Sequence, residues 1–211
     1  MALDFSPENL ILIAFFLLIG FPVHEFAHAF VAWRQGDSTA KLFGRLTLNP
    51  IVHFDPLGGM LLVISVLFGG FVIGWAKPTP VNTSNLRDRR NGEVWVSLAG
   101  PISNLLMAAV AALVFRLVYS PLSTVPFQVF NLLSLFVLYN VMLAVFNFLP
   151  IPPLDGSTLL FRFLSPQTAW RLRPVLAQYG IFVLFAFVFI GGSLLGGVIT
   201  RIADVLLGLS A

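Results

Sequence analysis

The chain has 211 residues, of which 58% are hydrophobic and only 10% charged, against roughly 25% charged in soluble domains. So little charge cannot cover a water-facing surface, which excludes an ordinary soluble enzyme and makes lipid the main solvent of one compact multi-span unit. The net charge of +3 does not point to nucleic acid, because the basic residues are scattered among short loops and form no stripe, and with no cysteine thiol chemistry is excluded as well.

The first predicted element starts at Ser6, Pro7 and Glu8: a capping side chain, a proline suited to the first helical position and an acid at the positive end of the helix dipole. The apolar run over 9–33 is long enough to span a bilayer. No basic leader precedes it and no cleavage site ends it, so it reads as a retained span. Residues 37–56 are more polar, and the alternation around 41–48 predicts a short strand or hairpin. Residues 57–76 are apolar but interrupted by Gly69, Gly70 and Gly74, and Pro78 and Pro80 bar a helix beyond them. This segment reads either as a full span or as one that re-enters.

A polar loop, NTSNLRDRRNG, precedes a predicted span over about 93–119. The uncharged turn SPLSTVP leads to another over about 127–149, which breaks at PIPPLDG. Residues 157–178, with Arg162, Arg171 and Arg173, read as an amphipathic interfacial stretch. A last span covers about 179–195, and a helical tail follows. The fold class expected is an all-α integral-membrane helix bundle of about four to six membrane segments. It carries a small interfacial β element and forms a single membrane-embedded domain over 1–211.

Most of the basic residues lie in three places: just after the first helix, around 77–90, and after the PLDG break. If 57–76 re-enters, all three fall on one side and the excess of cytoplasmic positive charge is respected. That arrangement places the N-terminus outside.

Within the first helix sits PVHEFAHAF. His24 and His28 are four residues apart, so they share one helix face and can reach one tetrahedral metal. Glu25 projects beside them, placed to take a proton from a metal-bound water. The chain holds only three histidines and three glutamates, and this motif uses two and one of them in a segment expected in hydrocarbon. Ionisable groups are costly there and mark function. The competing reading is a set of interhelical hydrogen bonds or a proton relay.

A hydrolytic zinc with one open position needs a third protein ligand. Asp37, Asp55 and Asp88 read as solvated turn residues, and Glu93 as a helix-start acid. Asp155 stands apart. Pro150, Pro152 and Pro153 forbid regular helix around it, and unwound backbone at membrane depth must face protein or a watery cavity. Its bland alternative is a helix N-cap. Asn147, eight residues earlier, could donate to the developing oxyanion of a carbonyl or simply hydrogen-bond between helices. In SLAGPISN, Gly100 suits close helix approach, and Ser103 or Asn104 could orient a metal-binding imidazole. His53 reads as a loop-bracing histidine.

HEFAH in the first span, AGPISN opening a later one and NFLPIPPLDG ending another together resemble the site-2 protease family of intramembrane zinc metalloproteases. GRLTLNPIVHFDPLGG and GWAKPTPVN are similar to its compact prokaryotic branch without an inserted PDZ domain. The resemblance implies one zinc per chain on His24, His28 and Asp155, with Glu25 as general base and Asn147 assisting the substrate carbonyl. It implies a transmembrane protein or peptide as substrate in a prokaryotic cell membrane, and GWAKPTPV as an edge strand that pairs with unwound substrate. The scattered basic residues imply no nucleic-acid partner. The rival class is a metal-ion or proton-coupled transporter built on the same buried cluster. It would bind metal reversibly without hydrolysis.

Overall fold

The computed structural model describes residues 7–60, 77–119 and 124–209, with side chains from residue 18 onward. The described chain is helical and contains no strand. Helix α1 runs Pro7–Arg34 and passes through Pro22 without a break. Two short helices follow, α2 (Thr39–Leu42) and α3 (Pro50–His53). A 3-10 turn, Thr83–Asn85, leads into α4 (Arg89–Val118). Helix α5 covers Phe127–Asn147, α6 Gly156–Phe163, and α7 Pro166–Leu207.

The helix ends carry legible signals. Asp88 accepts from the backbone N–H groups of Arg90 and Asn91 and caps α4. Ser165 caps α7 with Pro166 at its first position, the place where a missing N–H costs nothing. Among the described residues, three helices, α4, α5 and α7, are long and apolar enough to cross a membrane, and α1 at 28 residues is about 42 Å long.

Helix α4 packs along both α1 and α5, and α7 packs against α5 and α4. Their shared core is built from Ala108, Ala111, Ala112 and Phe115 of α4, Val137 and Val141 of α5, and Ile199, Ala203 and Leu207 of α7. The alanines let backbones approach closely, which in lipid supplies the dispersion contacts that hold helices together. Much of α7 faces outward with large apolar side chains, among them Phe182, Phe189, Ile190 and Leu194, as a lipid-facing helix does.

Three sequence expectations are corrected. The alternating stretch 41–48 is not a strand: α2 occupies its start, and Gly44 then takes a positive φ of 69°, which reverses the chain. The interfacial stretch 157–178 is divided between α6 and α7. The last span and its tail belong to α7, one unbroken 42-residue helix that continues through Pro174.

The choice between spanning and re-entry falls on 61–76, which lies outside the described residues. Its described flanks meet, however: the Lys77 N–H donates to the His53 carbonyl at 2.9 Å. The following loop is tied to the end of α1, since the Arg87 N–H donates to the Gln35 carbonyl at 2.9 Å.

Candidate metal centre

The first two groups come from α1. The helical repeat puts His24 and His28 one turn apart, with their rings near perpendicular at 82°. Their Nε2 atoms lie 3.0 Å apart. The third comes from the break after α5. Three prolines keep residues 148–155 out of regular helix, and Ser97 of α4 pins this stretch by donating to the Asp155 carbonyl at 2.6 Å. Asp155 Oδ2 then stands 3.3 Å from each histidine Nε2.

The N-cap alternative for Asp155 does not hold. It immediately precedes α6, but its side chain makes no capping hydrogen bond and its backbone is already helical. Its carboxylate points at the imidazoles instead.

The protonation of the rings follows from their partners. His28 Nδ1 lies 2.7 Å from the Val96 carbonyl, and His24 Nδ1 lies 2.6 Å from Asn104 Oδ1. Both partners only accept, so each neutral ring carries its proton on Nδ1 and leaves the Nε2 lone pair bare. Two bare lone pairs and a carboxylate oxygen thus face one another, and Asp155 Oδ2 is buried without any hydrogen-bond partner. Such an arrangement repels itself when empty, and a metal cation would satisfy all three atoms at once. Around a tetrahedral zinc with bonds of about 2.0–2.2 Å, ligand atoms are roughly 3.3–3.5 Å apart. The two edges of 3.3 Å to Asp155 reach that size and the 3.0 Å edge between the imidazoles is slightly shorter, and the donor set of two imidazoles and one carboxylate is a hydrolytic zinc set.

Gly100 closes the other side. A Cβ there would strike His28 Nε2 and come within 2.6 Å of His24 Cε1 and Nε2. In the sequence this glycine reads only as a site of close helix approach. Its specific neighbour, the imidazole pair, was not legible from spacing.

Glu25 is buried beside the pair. Its Oε2 accepts the Thr79 N–H at 3.1 Å and the Thr79 hydroxyl at 2.6 Å. Thr79 belongs to the GWAKPTPV stretch, whose described part (residues 77–81) is neither helix nor strand and lies over Glu25. Nothing in the sequence linked Thr79 to Glu25.

The remaining candidates divide. Asn104 is the orienting amide. Ser103 is not, since its hydroxyl donates to the Gly100 carbonyl one turn back. Asn147 ends α5 with its amide donating to the Leu143 carbonyl in its own helix at 3.0 Å. His53 is fully buried and braces its loop, with Nε2 2.9 Å from the Thr47 carbonyl. Asp55 and Asp88 are turn and capping residues. Glu93 sits in the opening turns of α4, 3.7 Å from Arg173.

Asp37 corrects its sequence reading: it is fully buried, not solvated. Its oxygens accept from Thr39 N–H and hydroxyl, the Asn85 amide and the Asn82 N–H. Burial alone would raise its pKa, but these hydrogen bonds prevail and hold it below the usual carboxylate value. A separate cavity of about 180 Å³, lined by Arg90, Glu93, Phe161, Arg162 and Arg173, contains none of the converging groups.

A helical membrane bundle with two imidazoles, a carboxylate and a neighbouring glutamate defines a class, the membrane zinc metalloproteases. The family model for peptidase family M50 matches residues 11–125 and 117–191, and the chain belongs to that family, the site-2 proteases. Among curated relatives, “Putative zinc metalloprotease YwhC” of Bacillus subtilis is 38% identical over 178 residues, covering 82% of this chain and 78% of the relative. Proteins of the same description named Rip2, from Mycolicibacterium smegmatis and Mycobacterium tuberculosis H37Rv, are each 34% identical. They cover 79% and 81% of this chain but 62% and 64% of their own length. No solved structure matches.

Proposed function

We propose that this chain cleaves peptide bonds in or near transmembrane segments of protein substrates, using one zinc ion held by His24, His28 and Asp155. The observation that carries the reading is the triangle of bare acceptor atoms with edges of 3.0, 3.3 and 3.3 Å. His24 lies ten residues before the end of α1, about 15 Å along the helix axis. That depth suits a bond at or below the membrane surface.

Zinc, when bound, polarises the substrate carbonyl and brings the pKa of water toward roughly 7. Glu25 accepts the proton of the attacking water. Thr79 occupies Oε2, so Oε1 is the oxygen that takes it. Glu25 then gives this proton to the amine nitrogen as the C–N bond breaks. Asn147 releases the Leu143 carbonyl and donates its amide to the substrate carbonyl oxygen. The substrate helix unwinds to present its bond, and the 77–81 stretch lies beside Glu25 to receive it.

The single domain is placed across a prokaryotic cell membrane, multi-pass, with the loops around Arg34, Arg87 and Arg162 on the cytoplasmic face. The meeting of His53 with Lys77 supports this. Cleavage of the 82–92 loop by protease added only from the outer face would refute the orientation.

Glu25→Gln tests the function. It should keep one zinc per chain and lose roughly 10²–10⁴-fold in cleavage of a membrane substrate. Cleavage at the native rate would remove Glu25 as the base.

A further inference from the structure

His24 and His28 are oriented by different means. His28 donates directly to a main-chain carbonyl, that of Val96. A carbonyl has only one role, so that tautomer is settled at once. His24 faces an amide, and an amide has two ends. Which end of Asn104 meets His24 decides whether Nδ1 or Nε2 carries the proton.

The decision is made further back. Asn140 of α5 lies 2.8 Å from the Phe136 carbonyl in its own helix, which can only accept. The Asn140 NH₂ must point there, so its Oδ1 points to α4. Asn104 then donates its NH₂ to that oxygen at 2.9 Å, with a longer contact to the Gly20 carbonyl at 3.4 Å. Its remaining end, Oδ1, is left to accept from His24 Nδ1 at 2.6 Å. Reversing either amide would set two NH₂ groups against each other or put the His24 proton on Nε2, aimed at Asp155. Asn104 and Asn140 are both 0% exposed, so no bulk water can substitute for a lost link.

We propose that Asn140 is a positioning residue that fixes the His24 tautomer from two hydrogen bonds away. This inference rests on the reading of His24 as a zinc ligand. Asn140 touches no ligand atom of the triangle and acts only through Asn104.

The test uses the full-length protein in detergent. Its readouts are zinc affinity, measured by competition with a chelator, and the visible spectrum of the cobalt-substituted form. Asn140→Leu should weaken zinc binding about 10- to 100-fold, the range for lost outer hydrogen bonds, and alter the cobalt spectrum. Asn140→Asp should stay within about twofold of wild type. In so buried a place the acid is neutral, its O–H donating to Phe136 and its carbonyl accepting from Asn104, as the amide does. Added to Asn104→Ala, Asn140→Leu should change zinc binding by no more than about twofold, because the relay is already cut.

Wild-type zinc affinity and cobalt spectrum in Asn140→Leu would overturn the proposal. So would Asn140→Asp binding zinc tenfold or more weakly, or full additivity in the double variant. Should Asn140→Leu fail to fold, Asn140→Asp decides alone. His24→Ala serves as the separate check: wild-type zinc affinity there would remove the ligand reading itself.

Discussion

The loop around Asp37 and the break around Asp155 each present a carboxylate to the protein interior, and they do so in opposite ways. Asp37 is saturated: four donors from residues 39, 82 and 85 satisfy both of its oxygens. At Asp155 one oxygen, Oδ2, is buried without a hydrogen-bond partner and turned toward the Nε2 atoms of two imidazoles. A saturated buried carboxylate is a structural tie. An unsaturated one facing further acceptors is suited to a cation, which would meet all of them at once. Position in a loop distinguishes neither, and both are aspartates beside glycines.

Exchanging each for alanine sharpens the contrast most. Asp155→Ala should lose its zinc and have no measurable cleavage, read by metal analysis of the purified protein. Asp37→Ala should keep its zinc and lose stability instead, by about 1–3 kcal/mol for the donors left unsatisfied. Zinc loss in the second and retention in the first would invert the comparison. Acid adds a further mark. A carboxylate held below its ordinary 3.8 lends stability that is present above that value and is lost as pH falls through the lower folded pKa. The stability gap between wild type and Asp37→Asn should therefore persist through mild acid and close only below the usual carboxylate range.

Gly100→Ala should be the next largest effect. The new methyl group overlaps both imidazoles, with an overpacking cost of about 1–3 kcal/mol and a zinc affinity reduced at least about tenfold. Unchanged zinc content and melting temperature would show that the helices simply move apart. Thr79→Val should be mildest. It keeps the backbone N–H to Glu25 and removes the hydroxyl. A fall in kcat of about tenfold, or about 1.4 kcal/mol, is expected with KM and zinc unchanged, and Thr79→Ser should restore it. A rise in KM alone would assign Thr79 to substrate binding.

The sequence discloses the converging groups more readily than what holds them. His24, Glu25 and His28 are conspicuous because ionisable residues are rare in an apolar run, and their spacing is a property of one helix. Asp155 is conspicuous because prolines break the helix before it. Asn140 is not: it is a single amide in YNVML, and its partner is 36 residues away on another helix. Asp37 looks solvated because its donors at 82 and 85 come from a distant loop. The helix ends at 89 and 118 lie close to the 93–119 expectation, since caps and hydropathy act locally. The alternation at 41–48 misleads because period-two hydropathy does not register the turn at Gly44.

Gly100 bears on how relatives of this protein are judged. On the proposed reading, a lineage that kept His24, His28 and Asp155 would still fall silent through the gain of one carbon opposite them. A loss of zinc in Gly100→Ala would make intact HExxH and LDG signatures insufficient evidence of a working member, and a comparison of homologues should then score the residue at this seat alongside them.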